Sequence, residues 1–403
     1  MKILVLDAHS PVGLAVARSL ARAGHLVDVG GEESFFNIAF YSRYPRAKIV
    51  YPRIAGDTRD FLRFFRELLA ESDYDFIIPV TDRTIIPLHR EGRQLPGFER
   101  VALPEDDALE TTLNKERTLD IARELRVPIP CTWVCGDDMR GSGGGEVYPL
   151  VVKARYSKYL KDGVLISDPG PVFVTGPAEL LASCRAKSLL IPRPLVQEMI
   201  AGDGYGYFVL ARRGEPLLTF AHRRLREENP LGARSSYCRG IEPAPEMEDS
   251  ALKLIRRLKW NGVAMVEFKR ERSTGRFVLM EINGRFWGSL PLAIASGADF
   301  PVAYLDLLAG RAIPPSTVVY GRKARFLYAE VQHLVSVMHG PPPAWKGAYP
   351  TRGRTLWSFL SSFFLPGISY FNLTRDDPWP GLMENSRYLL NILPHRLAAR
   401  RKA

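Results

Sequence analysis

The sequence predicts an α/β domain, then an α+β domain, then a mostly helical C-terminal extension. The first 110 residues alternate short apolar runs with helical stretches, the rhythm of a parallel sheet wound with helices. The middle of the chain links apolar strands through glycine turns, as antiparallel sheets do. Past residue 312 come a proline-rich connector (Gly340 to Trp345), an aromatic apolar segment and a final helix with a basic end.

At 403 residues, 46% hydrophobic and 25% charged, the chain is long enough for two or three domains with substantial cores. The net charge of +11 is spread along the sequence apart from a small cluster from Arg396 to Lys402. No nucleic-acid motif accompanies it, and nucleotides and acidic small molecules favour the same charge, so no nucleic acid is expected. Cys131, Cys135, Cys184 and Cys238 form neither a disulfide framework nor a zinc pattern, which makes a reducing cytoplasm the default expectation. The apolar start is broken by Asp7 and His9 and reads as a first strand rather than a signal peptide. No run reaches the roughly 18–20 apolar residues of a membrane-spanning helix.

In the N-terminal part, KILVLDA, HLVDVGG and DFIIPVTD are strands, and PVGLAVARSLARAG and DFLRFFRELLAES are helices. The first turn has Ala8 and Ser10 or Pro11 where a dinucleotide fingerprint has its first glycines, and only Gly13 remains. A pyrophosphate cradle needs those glycines for close backbone approach, which disfavours a nicotinamide-dependent oxidoreductase.

The most informative stretch is 261–288, NGVAMVEFKRERSTGRFVLMEINGRFWG. Val263–Lys269 and Phe277–Asn283 read as strands joined by a polar turn that ends in Gly275. A three-residue loop of Ser273, Thr274 and Gly275 sets Arg272 opposite Arg276 and Glu267 opposite Glu281, and the two-residue period puts Asn283 on the face of Glu281. Facing carboxylates are destabilising unless neutralised, and strands apolar on both faces are buried. Two carboxylates and an amide oxygen suit one or two magnesium ions, with manganese as a substitute, and Arg285 beside them suits a phosphoryl oxygen. The plainer alternative is a surface hairpin whose acids pair with Lys269, Arg270 or Arg276. A slip of one residue in register would separate the two acids.

The strand MVEFK followed by LMEINGRFWGS resembles the metal-binding end of the ATP-grasp superfamily, whose members generally activate a carboxylate as an acyl phosphate with ATP and magnesium and let an amine or other nucleophile attack it. The resemblance implies a Rossmann-like domain over 1–110 and a two-lobed ATP-grasp fold over 111–312, the smaller lobe about 130–200 and the metal-binding lobe about 201–312. The extension 313–403 is not covered. In such proteins the strand ends of the first domain face the substrate, here Asp7–Ser10 and Pro79–Arg83, although ordinary turn chemistry explains them equally well.

Further site residues come by the same route. Asn114 is a plausible N-cap, and Lys115 stands in the first turn of its helix, where the dipole disfavours a cation. Taken alone it is a solvated lysine; the resemblance makes it a phosphate contact. Lys153 closes the strand YPLVVK and by resemblance touches phosphate and adenine, the alternative being a snorkelling strand-end lysine. The glycine-rich loop that usually follows is replaced by ARYSKYLKDGVL, which would hold phosphate through Arg155, Ser157, Lys158 and Lys161. The glycine-rich stretch 137–146 lacks the lysine-serine pair of a phosphate loop and reads as a connector. VQEMIAGDGYG is similar to the adenine hinge of the superfamily, which points to Gln197, Glu198, Met199 and Ile200, with main-chain groups of Glu198 and Ile200 reading the base. Asp203 matches the ribose carboxylate one position early, Gly204 standing at the usual place. His222, Arg223, Arg224 and Arg226 form a basic segment, near the reacting phosphate in relatives and a basic surface strand otherwise. Arg224, Arg285 and Lys153 are the candidate catalytic residues.

The function implied is an ATP- and magnesium-dependent carboxylate-amine ligase acting on small molecules, with homo-oligomers compatible. The alternative is a non-catalytic ATP-binding regulatory or scaffold protein of the same fold. The segment 356–371 lacks a strongly charged face, which favours burial over a substrate-site wall or peripheral membrane contact.

Overall fold

The computed structural model describes residues 1–55, 57–136, 148–342, 345 and 348–387. The glycine-rich connector 137–146, the centre of the proline-rich connector and the basic cluster 396–402 lie outside these residues.

The N-terminal domain runs β1 (Lys2–Val5), α1 (Pro11–Arg22), β2 (Leu26–Glu32), β3 (Lys48–Tyr51), α2 (Arg59–Glu71), β4 (Phe76–Ile78) and α3 (Asp82–Pro87). Its four strands are parallel in the order β3-β2-β1-β4. Ser10 caps α1, its hydroxyl accepting from Val12 N at 3.2 Å. Asp7, with φ of 61°, turns the chain out of β1, and its carboxylate accepts from Val80 N (3.1 Å), Thr81 N (2.9 Å) and the Thr84 hydroxyl (2.6 Å). That ties together the two strand ends expected to face a ligand. The surviving fingerprint glycine has a packing role: a Cβ on Gly13 would lie 2.6 Å from the Asp7 carbonyl oxygen.

Two helices, α4 (Asp106–Leu113) and α5 (Lys115–Glu124), lead to the small lobe. Asn114 caps α5, its side chain accepting from Glu116 N (3.1 Å) and Arg117 N (3.3 Å), so Lys115 takes the first helical position. The lobe contains β5 (Thr132–Val134), β6 (Leu150–Lys153), the hairpin β7 (Lys158–Lys161) and β8 (Val164–Ser167), β9 (Val172–Val174), α6 (Pro177–Leu190) and β10 (Leu195–Glu198). Its main sheet is antiparallel in the order β5-β10-β6-β9. The tip of the β7–β8 hairpin rests on the N-terminal domain, the Gly163 carbonyl accepting from Thr58 N (2.8 Å) and its hydroxyl (3.1 Å).

One sequence expectation is overturned here. Cys135 and Cys184 form a disulfide, 49 residues apart with Cα atoms 5.9 Å apart. Their spacing gave no sign of it, because it is the packing of α6 against Leu150, Val152 and Val174 that brings them together.

The large lobe is built on a seven-stranded sheet. Its elements are β11 (Gly202–Arg212), β12 (Glu215–Glu227), β13 (Ser235–Ile241), α7 (Pro245–Arg257), β14 (Gly262–Glu271), β15 (Phe277–Asn283), α8 (Leu290–Ala295) and α9 (Phe300–Leu308). The extension adds β16 (Lys323–Arg325), α10 (Leu327–His339), α11 (Arg352–Ser361) and β17 (Ile368–Tyr370), with 379–387 also helical. The order is β15-β14-β11-β12-β13-β16-β17, antiparallel except for the final pair. The mostly helical extension therefore also completes the sheet edge. A continuous apolar cluster runs from β1 and α1 through Phe208, Phe220 and Trp287 to α8 and α9, joining the N-terminal domain to the large lobe.

The burial expected for the aromatic segment is also corrected. Phe371 is buried, but Leu356, Trp357, Leu360, Phe363, Phe364 and Leu365 are exposed, because α11 turns Thr355 inward and the turn after it does the same with Ser362. Among the described residues no helix is long and apolar enough to cross a membrane.

Candidate active site

The site grows from the β14–β15 hairpin. Near the turn the register is Arg270 opposite Phe277 and Phe268 opposite Leu279. Glu271 N donates to Arg276 O at 2.9 Å and Gly275 N to Glu271 O at 2.8 Å, so the loop has four residues, Arg272 to Gly275, rather than the three expected. Continued unbroken, that register would set Met280 against Glu267 and turn Glu281 to the opposite face. A bulge at Met280 absorbs the difference, and Glu267 pairs with Glu281 after all. The bulge also lets two consecutive side chains, Met280 and Glu281, line the same cavity.

That cavity, about 460 Å³, lies between the lobes and the N-terminal domain. Its lining includes Lys115, Lys153, Ser157 and Glu198 to Ile200, together with Glu267, Glu281, Asn283, Arg224 and Arg285. Pro11, Trp287, His222 and, from the extension, Phe326 and Phe371 also line it.

The charges form one connected set. Lys115 Nζ lies 3.6 Å from Glu281 Oε2 and donates to the Ser157 hydroxyl at 2.8 Å. Asn283 Nδ2 donates to Glu281 Oε1 at 3.1 Å, and Asn283 Oδ1 accepts from Arg285 Nη2 at 3.1 Å. Arg285 also forks onto Asp82 at 2.6 and 3.0 Å. Arg224 sits between Glu267 (2.6 Å) and Glu227 (3.2 Å).

These surroundings push the two facing acids apart. Glu281 is 31% accessible to the cavity yet deep in the protein; its burial works to raise the carboxyl, but Lys115, the Asn283 amide, Lys153 and Arg285 outweigh it and hold the group down to about 2. Glu267 is raised, by burial first and then by the Glu281 charge, against the pull of Arg224. Burial lowers Lys153 to about 8. His222, 1% exposed, is pushed well below the usual histidine range by burial and by Arg224, and is therefore neutral at pH 7.

Not every expected site residue reaches the cavity. Gln197 is turned away, its amide nitrogen donating to the Thr132 hydroxyl at 3.0 Å. Glu198, Met199 and Ile200 line it; Glu198 N is bonded to Cys131 O at 3.0 Å, and Ile200 O accepts from Lys269 Nζ at 3.2 Å. Asp203 lies outside, half-exposed and paired with Arg223 at 2.6 Å. A side chain at position 204 has no room, since a Cβ there would come within 2.7 Å of Glu227 and Arg224. Of the four candidates in the replaced loop, Ser157 alone lines the cavity; Arg155 pairs with Glu116 at 2.7 Å and Lys158 bonds Ser167 at 3.0 Å.

Sequence reasoning passed over Asp82 as a partner for Arg285, the bulge at Met280, and Trp287 and Phe326 as aromatic lining, whereas Phe371 falls in the segment for which a substrate-site wall was one alternative. For Asp82 the signal was present, an acid at the end of a strand that points at the site; for the bulge, Trp287 and Phe326 there was none.

The donor set fits a hard divalent cation. Glu267, Glu281 and the Asn283 amide oxygen offer oxygen ligands without a soft atom among them. Among the described residues no group of three or more His, Cys, Asp and Glu side chains is arranged to hold a metal ion, so this site would rest on two acids and one amide.

Residues 191–333 match the family described as "ATP-grasp in the biosynthetic pathway with Ter operon" (ATPgrasp_Ter). No curated protein matches the chain in sequence. Among solved structures, pyruvate carboxylase from Rhizobium etli is similar over 80% of this chain, with a TM-score of 0.61 and 16% identity, although the match spans only 30% of that protein's chain. Biotin carboxylase from Campylobacter jejuni, in its β,γ-ATP complex, matches 80% of this chain and 74% of its own, with a TM-score of 0.62 and 13% identity. L-amino acid ligase from Bacillus licheniformis matches 76% of this chain and 74% of its own, with a TM-score of 0.55 and 16% identity. At such identities the likeness is one of fold, and with the large-lobe match it gives that fold: the chain has the ATP-grasp fold, a parallel-sheet domain preceding two lobes that close on one cavity.

Proposed function

We propose that the protein is an ATP- and magnesium-dependent ligase that activates a substrate carboxylate as an acyl phosphate and joins it to an amine. The observation that carries this reading is the opposition of Glu267 and Glu281 inside a cavity that also holds Lys115, Lys153 and Arg285. Two facing acids lining a cavity beside lysines and arginines offer oxygen ligands to an arriving cation and cationic partners to the phosphates it accompanies.

In this reading Lys115 and Lys153 bind the polyphosphate, and main-chain groups of Glu198 to Ile200 meet the base. Glu267, Glu281 and the Asn283 oxygen would hold magnesium, which would supply charge neutralisation of the phosphates. Arg285 and Arg224 flank the γ-phosphoryl group. A substrate carboxylate oxygen attacks the γ-phosphorus and ADP leaves; the amine nitrogen then attacks the acyl carbon and phosphate leaves. The residues mainly position the reactants and stabilise charge, so no protein nucleophile is required. We place the activity in the cytoplasm, where ATP is supplied; there the Cys135–Cys184 pair would be kept as thiols.

ADP release with magnesium and ATP, measured against a panel of carboxylates and amines beside Glu281→Gln, tests the proposal. Turnover that needs an acid and an amine together, and is lost in the variant, is expected. ATP binding without stimulation by any pair would favour a regulatory or scaffold role, and no ATP binding would sink both readings.

A further inference from the structure

Helix α11 and the turn after it are built inside out. Thr355 and Ser362 face inward, Ser362 accepting from Arg226 at 3.1 Å. Leu356, Leu360 and Phe363 recur on the outer surface at helical spacing, as do Trp357 and Phe364 seven residues apart. Trp357 is 73% and Phe364 87% exposed. Scattered exposed apolar residues are ordinary, but a contiguous aromatic stripe on one element marks a contact surface.

The charge around the stripe indicates what covers it. Arg352 and Arg354 are exposed on the same helix, and no aspartate or glutamate occurs between residues 331 and 375. A second copy of this chain is a poor occupant, because a two-fold contact would set the same arginines near one another with no local acid in answer. An anionic lipid surface answers both features, with tryptophan and phenylalanine in the headgroup boundary and arginine on lipid phosphates.

We propose that α11 with residues 362–365 is a peripheral docking element for an anionic bilayer. The element is braced from within, Arg325 donating to Phe359 O at 3.2 Å and stacking on Phe363, so it can present its stripe without unfolding.

Sedimentation of the full-length protein with vesicles of phosphatidylcholine alone, or mixed with phosphatidylglycerol, at low and high salt, tests this. Binding to the mixed vesicles is expected, with little to phosphatidylcholine alone. Trp357→Ser/Phe364→Ser should weaken it about tenfold or more from lost apolar contact. Arg352→Gln and Arg354→Gln should each weaken it about fivefold at low salt. All the substituted side chains are exposed, so the variants should keep the wild-type melting temperature. Absence of binding, or binding unchanged in the aromatic variant and so due to charge elsewhere, overturns the proposal. So does a concentration-dependent dimer that the aromatic variant dissolves, which would give the stripe to a second copy.

Discussion

The Arg285 guanidinium holds the Asp82 carboxylate at two points, Nε to Oδ1 at 2.6 Å and Nη2 to Oδ2 at 3.0 Å, across 203 residues of chain. This fastens the N-terminal domain to the end of β15, beside the facing acids.

Asp82→Asn should therefore lower stability by about 1–2 kcal/mol, the range for charge-assisted hydrogen bonds partly shared with solvent. Burial works to raise the Asp82 carboxyl, but Arg285 brings it below its ordinary value of 3.8. A depressed carboxyl contributes stability above its unfolded pKa that disappears as pH falls through the folded one. Urea unfolding should thus give a constant deficit from pH 5 to 8 that shrinks below about pH 4; a deficit independent of pH would contradict the assignment.

Glu281→Gln should separate stability from chemistry. The wild-type carboxylate, held at about 2, stabilises the fold above its unfolded pKa near 4.5, and this is lost only toward pH 2. At pH 7 the variant leaves Lys115 and Lys153 less compensated and should melt lower than wild type. Under the proposed function ADP release should fall by about 100-fold or more, and magnesium should protect the variant from thermal unfolding less than it protects wild type.

Lys153, lowered to about 8 by burial, should report polyphosphate binding through protons. An arriving anion favours the charged amine and draws its pKa back up. Calorimetric titration with ATP near pH 8.5, in buffers of different ionisation enthalpy, should show net proton uptake that Lys153→Met abolishes. Uptake of equal size in the variant would place the titrating group elsewhere. In the free protein the low value penalises folding below pH 8, and that penalty fades between about pH 8 and 10.5.

Reduction of Cys135–Cys184 should loosen the small lobe. Closing a loop of 49 residues is worth about 4 kcal/mol in the chain-entropy estimate. Thermal unfolding with and without dithiothreitol should show a lower first transition when reduced, and Cys135→Ser should not respond to the reductant.

What the sequence disclosed followed from local pattern. Alternation of apolar residues set the limits of Phe277–Asn283, and the N-cap preference of asparagine placed Lys115 at the start of its helix. The opposition of Glu267 and Glu281 was reached through a turn one residue too short, which the bulge at Met280 offset. Loop length and bulge position shift a register by equal amounts, and single-strand periodicity cannot tell them apart. Contacts between distant parts were harder to see: the pairing of Asp82 with Arg285 was hinted at only by an acid at a strand end, while the Cys135–Cys184 bond and the crowding around position 204 left no trace, because all three depend on how elements pack. The apolar segment after Thr355 misled for a related reason, since hydrophobicity alone does not say whether protein or something else lies against it.

The final sheet strands bear on how this protein could diversify. Phe326 and Phe371 line the cavity, yet both belong to the extension that follows residue 312. The residues proposed to contact phosphate and cation all precede that point, so on this reading the two halves of the site can drift separately. Exchange of the extension between related chains is then expected to alter which acceptor is used while leaving nucleotide affinity in place. A chimera that kept its acceptor but lost nucleotide binding would show that the halves are not separable.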